Sequence, residues 1–236
     1  MQNLDDIAKE VKACTKCHLS KTRTNAVPGE GNKQAEIIFI GEAPGYHEDI
    51  QGRPFVGQAG KVLDNLLREI GLERKNVYIA NIIKCRPPGN RDPQPDEINT
   101  CIPYLLEQIK IIKPKVICTL GRFSFAEMMQ RKVFISSEHG KPFKTGKENR
   151  LGEGLSIFPL YHPAAVLHQP GLMDALEEDF KKLHAFLISP PPKEEVQKIK
   201  ENPLARLPGG CGQASIYKNK NVNETTQKKE KQLGLF

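Results

Sequence analysis

The chain alternates between short apolar runs and longer stretches in which hydrophobic residues recur at helical spacing. The apolar runs are typical of buried strands, and they occur at residues 36–40, 77–83, 116–120 and 155–160. Helical spacing predicts helices at residues 4–13, 58–70, 122–130 and 172–187. Strands that alternate with helices form a parallel sheet that is covered on both faces. The pattern therefore predicts an α/β fold, a three-layer α/β/α sandwich with a central four-stranded parallel sheet, and leaves residues 135–155 as a loop or hairpin.

The length and the local composition predict one folded domain followed by a tail. A chain of 236 residues is suited to a single domain plus an extension. Three consecutive prolines at 190–192 form a stiff break, and the chain beyond about residue 205 is rich in Gly, Asn, Lys, Gln and Thr. Such a composition offers little to bury and is typical of disorder. We therefore predict a domain at residues 1–189 and a basic tail at 190–236.

The charge of the chain is compatible with a polyanionic partner but does not establish one. The formal net charge is +7, and the nine basic and five acidic residues after Pro190 contribute +4 of it. A nucleic-acid surface on the domain would therefore require a local basic patch. The acidic N-terminus is unlike a secretory signal, and no apolar run is long enough to cross a membrane. We expect a cytoplasmic monomer without membrane association.

Four cysteines are spaced as two separated pairs. Cys14 and Cys17 form a Cys-x-x-Cys motif, and Cys85 and Cys101 follow much later in the chain. The segment that contains Cys101 begins with Pro93-Gln94-Pro95-Asp96-Glu97-Ile98, which is typical of the start of a helix. In a reducing cytosol this motif favours a metal or redox site over a disulfide. A thioredoxin-like motif would follow a strand and open a helix, whereas this one follows a predicted helix. Four thiolates suit a tetrahedral zinc ion or an iron–sulfur cluster, and the spacing alone favours zinc because such zinc sites are common.

The stretch from residue 41 to 57 is unusual for a connector between a strand and a helix. It combines glycines and prolines with the carboxylates of Glu42, Glu48 and Asp49 and with the aromatic ring of Phe55. In an open parallel sheet this loop lies at the carboxyl edge, where ligands bind. Glycines let a backbone approach a flat ligand, a ring can stack on it, and a carboxylate can do acid–base work. The alternative is a long surface loop with solvated acids.

Two further polar residues fall at the same predicted edge. Asn81 lies at the end of the second predicted strand, and its amide offers a donor and an acceptor that suit the Watson–Crick edge of a base. His162 follows the fourth strand and is fixed by Pro163. Each residue alone could satisfy its local backbone. A histidine, an asparagine, an aromatic ring and two acids at one edge indicate a binding or catalytic site.

Together these motifs resemble the family 4 uracil-DNA glycosylases, the iron–sulfur enzymes of thermophilic archaea and bacteria. The resemblance extends over about residues 3–187. It is carried by the segment Gly41-Glu42-Ala43-Pro44-Gly45, the segment Gly52-Arg53-Pro54-Phe55-Val56-Gly57, Asn81, the four-cysteine pattern and His162-Pro163. It implies a four-stranded parallel sheet between helices. It also implies a [4Fe-4S] cluster with a structural role, so Cys14, Cys17, Cys85 and Cys101 become its expected ligands in place of a zinc site.

The resemblance also implies how uracil would be recognised. A glycosylase must take the base out of the duplex, because the N-glycosidic bond is unreachable inside the stack. Phe55 would stack on the flipped uracil, and the Asn81 amide would pair with its O4 and N3–H. Backbone groups near Gly41, Glu42 and Ala43 would contact the O2 edge. The Glu42 region is a candidate wall against the C5 methyl group of thymine.

Cleavage of the C–N bond develops negative charge on uracil and positive charge on the sugar. By the same resemblance, His162 would stabilise the uracil anion through a hydrogen bond to O2. Glu48 would stabilise the oxocarbenium-like sugar and orient the attacking water. After Cys85, the candidates for phosphate contacts are Arg86, Asn90 and Arg91, with a solvated basic loop as the alternative. The expected activity is monofunctional hydrolysis that leaves an abasic site in base excision repair.

The end of the tail suggests a second partner. Gln232, Leu235 and Phe236 resemble a shortened sliding-clamp-binding peptide, and a random apolar end is the alternative. Three other functions compete with uracil excision. They are a metal-stapled nucleic-acid-binding domain without activity, a glycosylase of broader or different damaged-base specificity, and a metallohydrolase. Four thiolate ligands leave no open coordination position, which argues against the hydrolase.

Overall fold

The predicted strands lie in one mixed sheet in the computed structural model, which describes residues 2–189. The strand order is β1-β3-β2-β4-β6-β5. The four central strands β3, β2, β4 and β6 are parallel, and the outer strands β1 and β5 are antiparallel to their neighbours. The strand bounds are β1 Glu30–Gly31, β2 Ile37–Gly41, β3 Tyr78–Asn81, β4 Val116–Leu120, β5 Phe143–Lys144 and β6 Ser156–Leu160.

Helices precede, connect and follow these strands along the chain. Their bounds are α1 Leu4–Ala13, α2 Tyr46–Gln51, α3 Gln58–Glu69, α4 Pro95–Ile112, α5 Arg122–Met129, α6 Ile135–Glu138, α7 Pro163–His168 and α8 Met173–Ile188. Short 3₁₀ turns lie at His18–Lys21, Arg74–Asn76, Pro88–Asn90 and Pro170–Leu172. Within residues 2–189, none of the helices has the length and apolarity needed to traverse a lipid bilayer.

Successive side chains of β2 point to opposite faces of the sheet, so the core has one part on each face. Ile37 and Phe39 pack in a cluster with buried residues of α3 and α8, including Leu63 and Phe180. The intervening Ile38 and Ile40 are fully buried as well, and successive strand residues point to opposite faces of a sheet. Both faces of the sheet are therefore covered, which confirms the predicted α/β/α sandwich.

The register of the parallel strands brings their carboxyl ends level with one another. Gly41 of β2 pairs with Asn81 of β3, and Leu120 of β4 pairs with Leu160 of β6. The segments that follow Gly41, Asn81 and Leu160 therefore leave the sheet at one edge. This is the edge at which open α/β sheets bind ligands.

The structure differs from the predicted elements in several places. The second strand ends at Asn81, although the N–H groups of Ile82 and Ile83 still donate to the carbonyls of Gly41, the last residue of β2, and of Glu42. The strands β1 and β5 are two residues each, too short to produce a periodic signal. Residues 135–155, predicted as a loop or hairpin, contain the short helix α6 and the strand β5, which pairs with β6 as a hairpin. A short helix, α2, interrupts the predicted loop at 41–57, and only the start of α4 was expected.

Candidate active site and four-cysteine cavity

A pocket of about 310 Å³ opens at the carboxyl edge of the sheet. Its lining includes six of the residues predicted from sequence, namely Glu42, Ala43, Glu48, Phe55, Asn81 and His162. They come from the segment after β2, from the end of β3 and from the segment after β6. Glu42 and His162 are more than one hundred positions apart in the chain. The parallel register of the strands therefore brings these residues into one cavity.

The ring of Phe55 is held in the pocket by an unusual backbone. Phe55 adopts the left-handed region with φ 52° and is 5% exposed. A non-glycine residue persists in that region only when its surroundings determine it. The guanidinium of Arg74 donates to the carbonyl oxygens of Phe55 and Pro54. On the other side, a Cβ at Gly60 would lie 1.8 Å from the Phe55 carbonyl oxygen, so only glycine fits there.

The carboxylate of Glu48, which also lines the pocket, holds the loop that carries Phe55 through hydrogen bonds to its backbone. Its Oε1 accepts the N–H groups of Val56 at 2.8 Å and Gly57 at 2.9 Å, and its Oε2 accepts the N–H of Gly45 at 3.1 Å. One side chain thus satisfies donors on both sides of α2. The structure therefore gives Glu48 a role in fixing the loop that carries Phe55.

Asn81 is buried with an unsatisfied acceptor. The residue is 2% exposed, and within residues 2–189 its Oδ1 has no hydrogen-bond partner. A Cβ at Gly41 would lie 2.4 Å from this Oδ1 and 2.7 Å from Cζ of Phe55, so the absence of a side chain at Gly41 is what lets the amide and the ring pack there. A buried polar atom without a partner is costly in a folded protein, which indicates that a ligand completes the site.

His162 is arranged to donate from Nε2. It is the N-cap residue of α7, where its Nδ1 accepts the N–H of Ala164 at 3.0 Å. A nitrogen that accepts carries no proton, so the hydrogen of the neutral ring is on Nε2. Burial lowers the pKa of His162 to about 4, against a smaller opposing effect of Glu48. The ring lies 5.7 Å from the ring of Phe55 between centroids.

Glu42 brings a further titratable group into the pocket. Burial, together with the charge of Asp92, raises the pKa of Glu42 to about 7, and Arg122 opposes this rise. A carboxyl group with such a pKa is partly protonated at neutral pH, so it can donate as well as accept a hydrogen bond.

The four cysteines of the predicted cluster site line one cavity. Cys14 and Cys17 reach it from the segment after α1, Cys85 from the segment after β3, and Cys101 from α4. The guanidinium of Arg23 donates to Sγ of Cys85 at 2.9 Å, and the backbone N–H of Lys84 donates to Sγ of Cys101 at 3.2 Å.

The donor set of this cavity can be compared with the metal groups that thiolates bind. Four cysteines line the cavity, and four thiolates are the ligand set of a [4Fe-4S] cluster. The hydrogen bonds to the sulfurs of Cys85 and Cys101 are also typical of such sites, because donors stabilise thiolate charge. The donor set therefore fits an iron–sulfur cluster.

Comparison with known proteins agrees with this geometry. The family model of the uracil DNA glycosylase superfamily matches residues 28–187. A type-4 uracil-DNA glycosylase of Saccharolobus solfataricus is 54% identical over 196 residues, covering 81% of this chain and 89% of the relative. The proteins of the same name from Sulfurisphaera tokodaii and Archaeoglobus fulgidus are 51% and 49% identical, covering 80% and 78% of this chain and 87% and 92% of theirs. This chain belongs to the type-4 uracil-DNA glycosylase family.

The three candidate DNA contacts of this type-4 chain differ in how their side chains are engaged. Arg86 donates to Oδ1 of Asn90 at 2.7 Å and lies 5.1 Å from the centroid of the exposed Tyr46 ring. Arg91 bonds to Glu97, whose side chain is fully buried and also contacts His18. Asn90 and Arg91 line the pocket. Their contact with phosphate stays a prediction, and the ion pair leaves Arg91 less free for it than Arg86.

Sequence reasoning missed two residues that shape this glycosylase-family pocket. Arg74, in the 3₁₀ turn before β3, holds the Phe55 carbonyl and bonds to Asp64 at 2.7 Å. Asp49, which the sequence marked only as one of several acids, is 3% exposed and accepts the N–H groups of Thr24 and Asn25. Neither residue belongs to a local motif that marks its role, because each acts on a segment distant in sequence.

Proposed function

We propose that this chain excises uracil from DNA by hydrolysing the N-glycosidic bond, as a base excision repair enzyme. The observation that carries the proposal is the unsatisfied Oδ1 of Asn81 in the pocket. Uracil presents N3–H to such an acceptor, and its O4 would accept from the Asn81 amide N–H. Cytosine presents an acceptor at N3 and a donor at N4, so the same amide would meet like groups. The names of the type-4 relatives support the same activity.

Recognition of the flipped base would use the other walls of the pocket. The Phe55 ring would stack on the uracil face, and the backbone of Gly41, Glu42 and Ala43 would meet the O2 edge. Removing a base from the stack costs a few kcal/mol, and stacking on an aromatic ring offsets part of it. We assign Glu42 to the wall that excludes the thymine methyl group.

The chemical step would break the bond between the sugar C1′ and uracil N1. The bonding electrons leave with uracil, and the Nε2–H of His162 stabilises the anion through a hydrogen bond to O2. Neutrality of His162, which follows from its low pKa, leaves Nδ1 free to accept the Ala164 N–H, and this bond holds the ring with its proton on Nε2. The carboxylate of Glu48 on the pocket wall stabilises the positive charge of the oxocarbenium-like sugar. Water then bonds to C1′ with its oxygen, and the proton that it loses passes through solvent to the uracil anion, which leaves as neutral uracil.

A [4Fe-4S] cluster held by Cys14, Cys17, Cys85 and Cys101 is part of the proposal. The shared cavity and the donors to sulfur support it. When bound, the cluster would supply a structural cross-link between the segment after α1, the segment after β3 and helix α4. Purified protein should contain iron and acid-labile sulfide, and zinc without sulfide in the same analysis would refute the cluster.

The finer assignments of domains and partners also belong to this proposal. We assign residues 1–189 to the glycosylase domain and 190–236 to a tail, with the protein acting as a monomer in the cytoplasm. Arg86, Asn90 and Arg91 would contact the phosphates of uracil-containing DNA. Gln232, Leu235 and Phe236, which lie outside the described residues, would bind a sliding clamp. Deletion of residues 232–236 should abolish clamp binding without changing uracil release, and unchanged clamp binding would refute this role.

The activity can be tested with oligonucleotides that carry one uracil. The purified protein is incubated with single-stranded and duplex substrates in EDTA, and free uracil and alkali-labile abasic sites are measured. We expect release that is strongly reduced, to a residual rate that excess enzyme and long incubation still resolve, in Phe55→Ala, Asn81→Ala and His162→Ala, but kept in His184→Ala, an exposed histidine on α8. No release from protein that contains its iron would refute uracil excision, and a panel of other damaged bases would then test the alternative specificity.

A further inference from the structure

Lys84 lies between the pocket and the four-cysteine cavity. Its side chain is 1% exposed, among the most buried in the described part of the chain. The ammonium donates to the backbone carbonyl of Asn81 at 3.0 Å and to Oε1 of Gln108 at 2.8 Å. The backbone N–H of the same residue donates to Sγ of Cys101, and Lys84 lines the cysteine cavity. One residue therefore contacts both the uracil-binding asparagine and a proposed cluster ligand.

The ammonium is positioned by a buried network. Gln108 is fully buried on α4, and its Nε2 donates to the carbonyl of Pro28 at 2.8 Å and to the hydroxyl of Tyr78 at 3.2 Å. With both N–H groups engaged, the Gln108 amide can offer only its oxygen to Lys84. Cys101 lies on the same helix, so α4 places the sulfur and the amide oxygen relative to each other.

The charge of Lys84 lacks a carboxylate counterpart. Both partners of its ammonium are neutral, and no salt bridge involves Lys84 among residues 2–189. A buried cation is costly unless an opposite charge compensates it. Thiolates in the adjacent cavity supply negative charge of the required sign, because a cysteine that binds metal is deprotonated. The neighbouring cavity thus explains why a lysine is tolerated at this position.

We propose that Lys84 is a positioning residue that couples the cysteine cavity to uracil recognition. Its ammonium fixes the Asn81 carbonyl, where the β-ladder ends, and so fixes the amide that faces the pocket. The negative charge of the cluster thiolates holds the ammonium in place. This inference rests on the proposed roles of Asn81 and the cluster, and it assigns Lys84 no contact with uracil.

The coupling to Asn81 is testable with a double-mutant cycle. Lys84→Met retains the apolar stem and removes the charge and the donor. We expect its kcat/KM for uracil release to fall by about 10- to 100-fold, the usual effect of losing a residue that supports a site. In the Asn81→Ala background the same substitution should produce little further loss, because Lys84 acts through Asn81. Effects of a general loss of stability would instead multiply, and multiplying effects would overturn the proposal.

The coupling to the cluster has a readout that is independent of activity. Removal of a nearby positive charge disfavours electron uptake, so the reduction potential of the cluster should become more negative in Lys84→Met. Lys110→Met is the matched control, because Lys110 is an exposed lysine on α4 whose charge is screened by solvent. It should leave both the potential and the uracil release unchanged. A potential in Lys84→Met equal to that of the wild type would overturn the charge coupling.

A second substitution separates the hydrogen bond from the charge and covers the case in which Lys84→Met does not fold. Lys84→Gln retains an N–H donor on a shorter side chain but carries no charge. We expect uracil release between that of the wild type and Lys84→Met, with the potential still shifted. Wild-type release and potential in Lys84→Gln would overturn the inference. Failure of the wild-type protein to release uracil would instead refute the proposed function.

Discussion

A methyl group at Gly41 would enter the space in which the Asn81 amide and the Phe55 ring meet. The Cβ of Gly41→Ala would lie 2.4 Å from Asn81 Oδ1 and 2.7 Å from Cζ of Phe55. Gly41 is the last residue of β2 and is not among the residues with positive φ, so the backbone itself can accept alanine. The substitution therefore acts on the two recognition side chains with little effect on the strand.

The size of the effect follows from these distances. Ordinary carbon contacts lie at about 3.5 to 4.0 Å, so the amide oxygen and the ring must each move by about 1 Å. A displacement of about 1 Å in a reacting complex lowers the rate by about 100-fold. We therefore expect kcat/KM for uracil release to fall by about 100-fold in Gly41→Ala.

The assay is steady-state release of uracil from a single-stranded oligonucleotide, accompanied by thermal unfolding of each variant. Gly146→Ala is the matched control, because a Cβ at Gly146 would meet no atom within 4 Å. It should behave as the wild type in both measurements. Wild-type kcat/KM in Gly41→Ala would refute the inference that the packing of Asn81 against Phe55 recognises uracil.

Four further predictions address the other parts of the site. Glu48→Gln places a side-chain amide N–H against one of the backbone N–H groups that Glu48 accepts, so the loop that carries Phe55 loses this support and KM for uracil release should rise. An unchanged KM with a lower kcat would indicate that Glu48 acts through its negative charge alone. Because the pKa of His162 is about 4, kcat/KM should stay constant through pH 6.5 and fall as the pH approaches 4, where a proton on Nδ1 would break its hydrogen bond with the Ala164 N–H and release the ring; a fall near 6.5 would contradict the low pKa. The raised pKa of Glu42 means that the folded protein binds a proton that the unfolded chain releases, so the midpoint temperature of thermal unfolding should decline as the pH rises from 4.5 through 7. Glu42→Gln should remove this decline, and a decline that persists in the variant would contradict the raised pKa of Glu42. Cys101→Ser should lower the iron and sulfide content measured per chain, and full retention would exclude Cys101 as a ligand.

The elements that were predicted from sequence are those whose hydrophobic periodicity lies within one continuous segment of the chain. Helix α1 was predicted at its observed bounds, and the predicted bounds of α3 and α8 lie within one residue of those observed. Helix α4 was missed beyond its start, and it contains Pro103 in its interior, a residue that normally argues against a continuous helix. The edge strands β1 and β5 depend on their neighbours for pairing, and two residues carry no signal of that pairing.

The residue types of the candidate site were predictable from sequence, whereas the contacts that hold them in place were less so. The residue types at Phe55, Asn81 and His162, each at the end of a strand or in the segment after one, already indicated one edge of a parallel sheet, and the structure brings them together. The three hydrogen bonds that Glu48 accepts from backbone N–H groups were not predicted, because those donors come from loop segments whose paths depend on packing.

Residue type and spacing along the chain were sufficient to predict the α/β class, the two cysteine pairs and the polar residues at strand ends. The left-handed backbone of Phe55, the tautomer of His162 and the buried contacts of Lys84 became apparent in the folded protein alone. These features arise where segments distant in sequence supply the donors, acceptors and space, and local patterns carry no record of such partners.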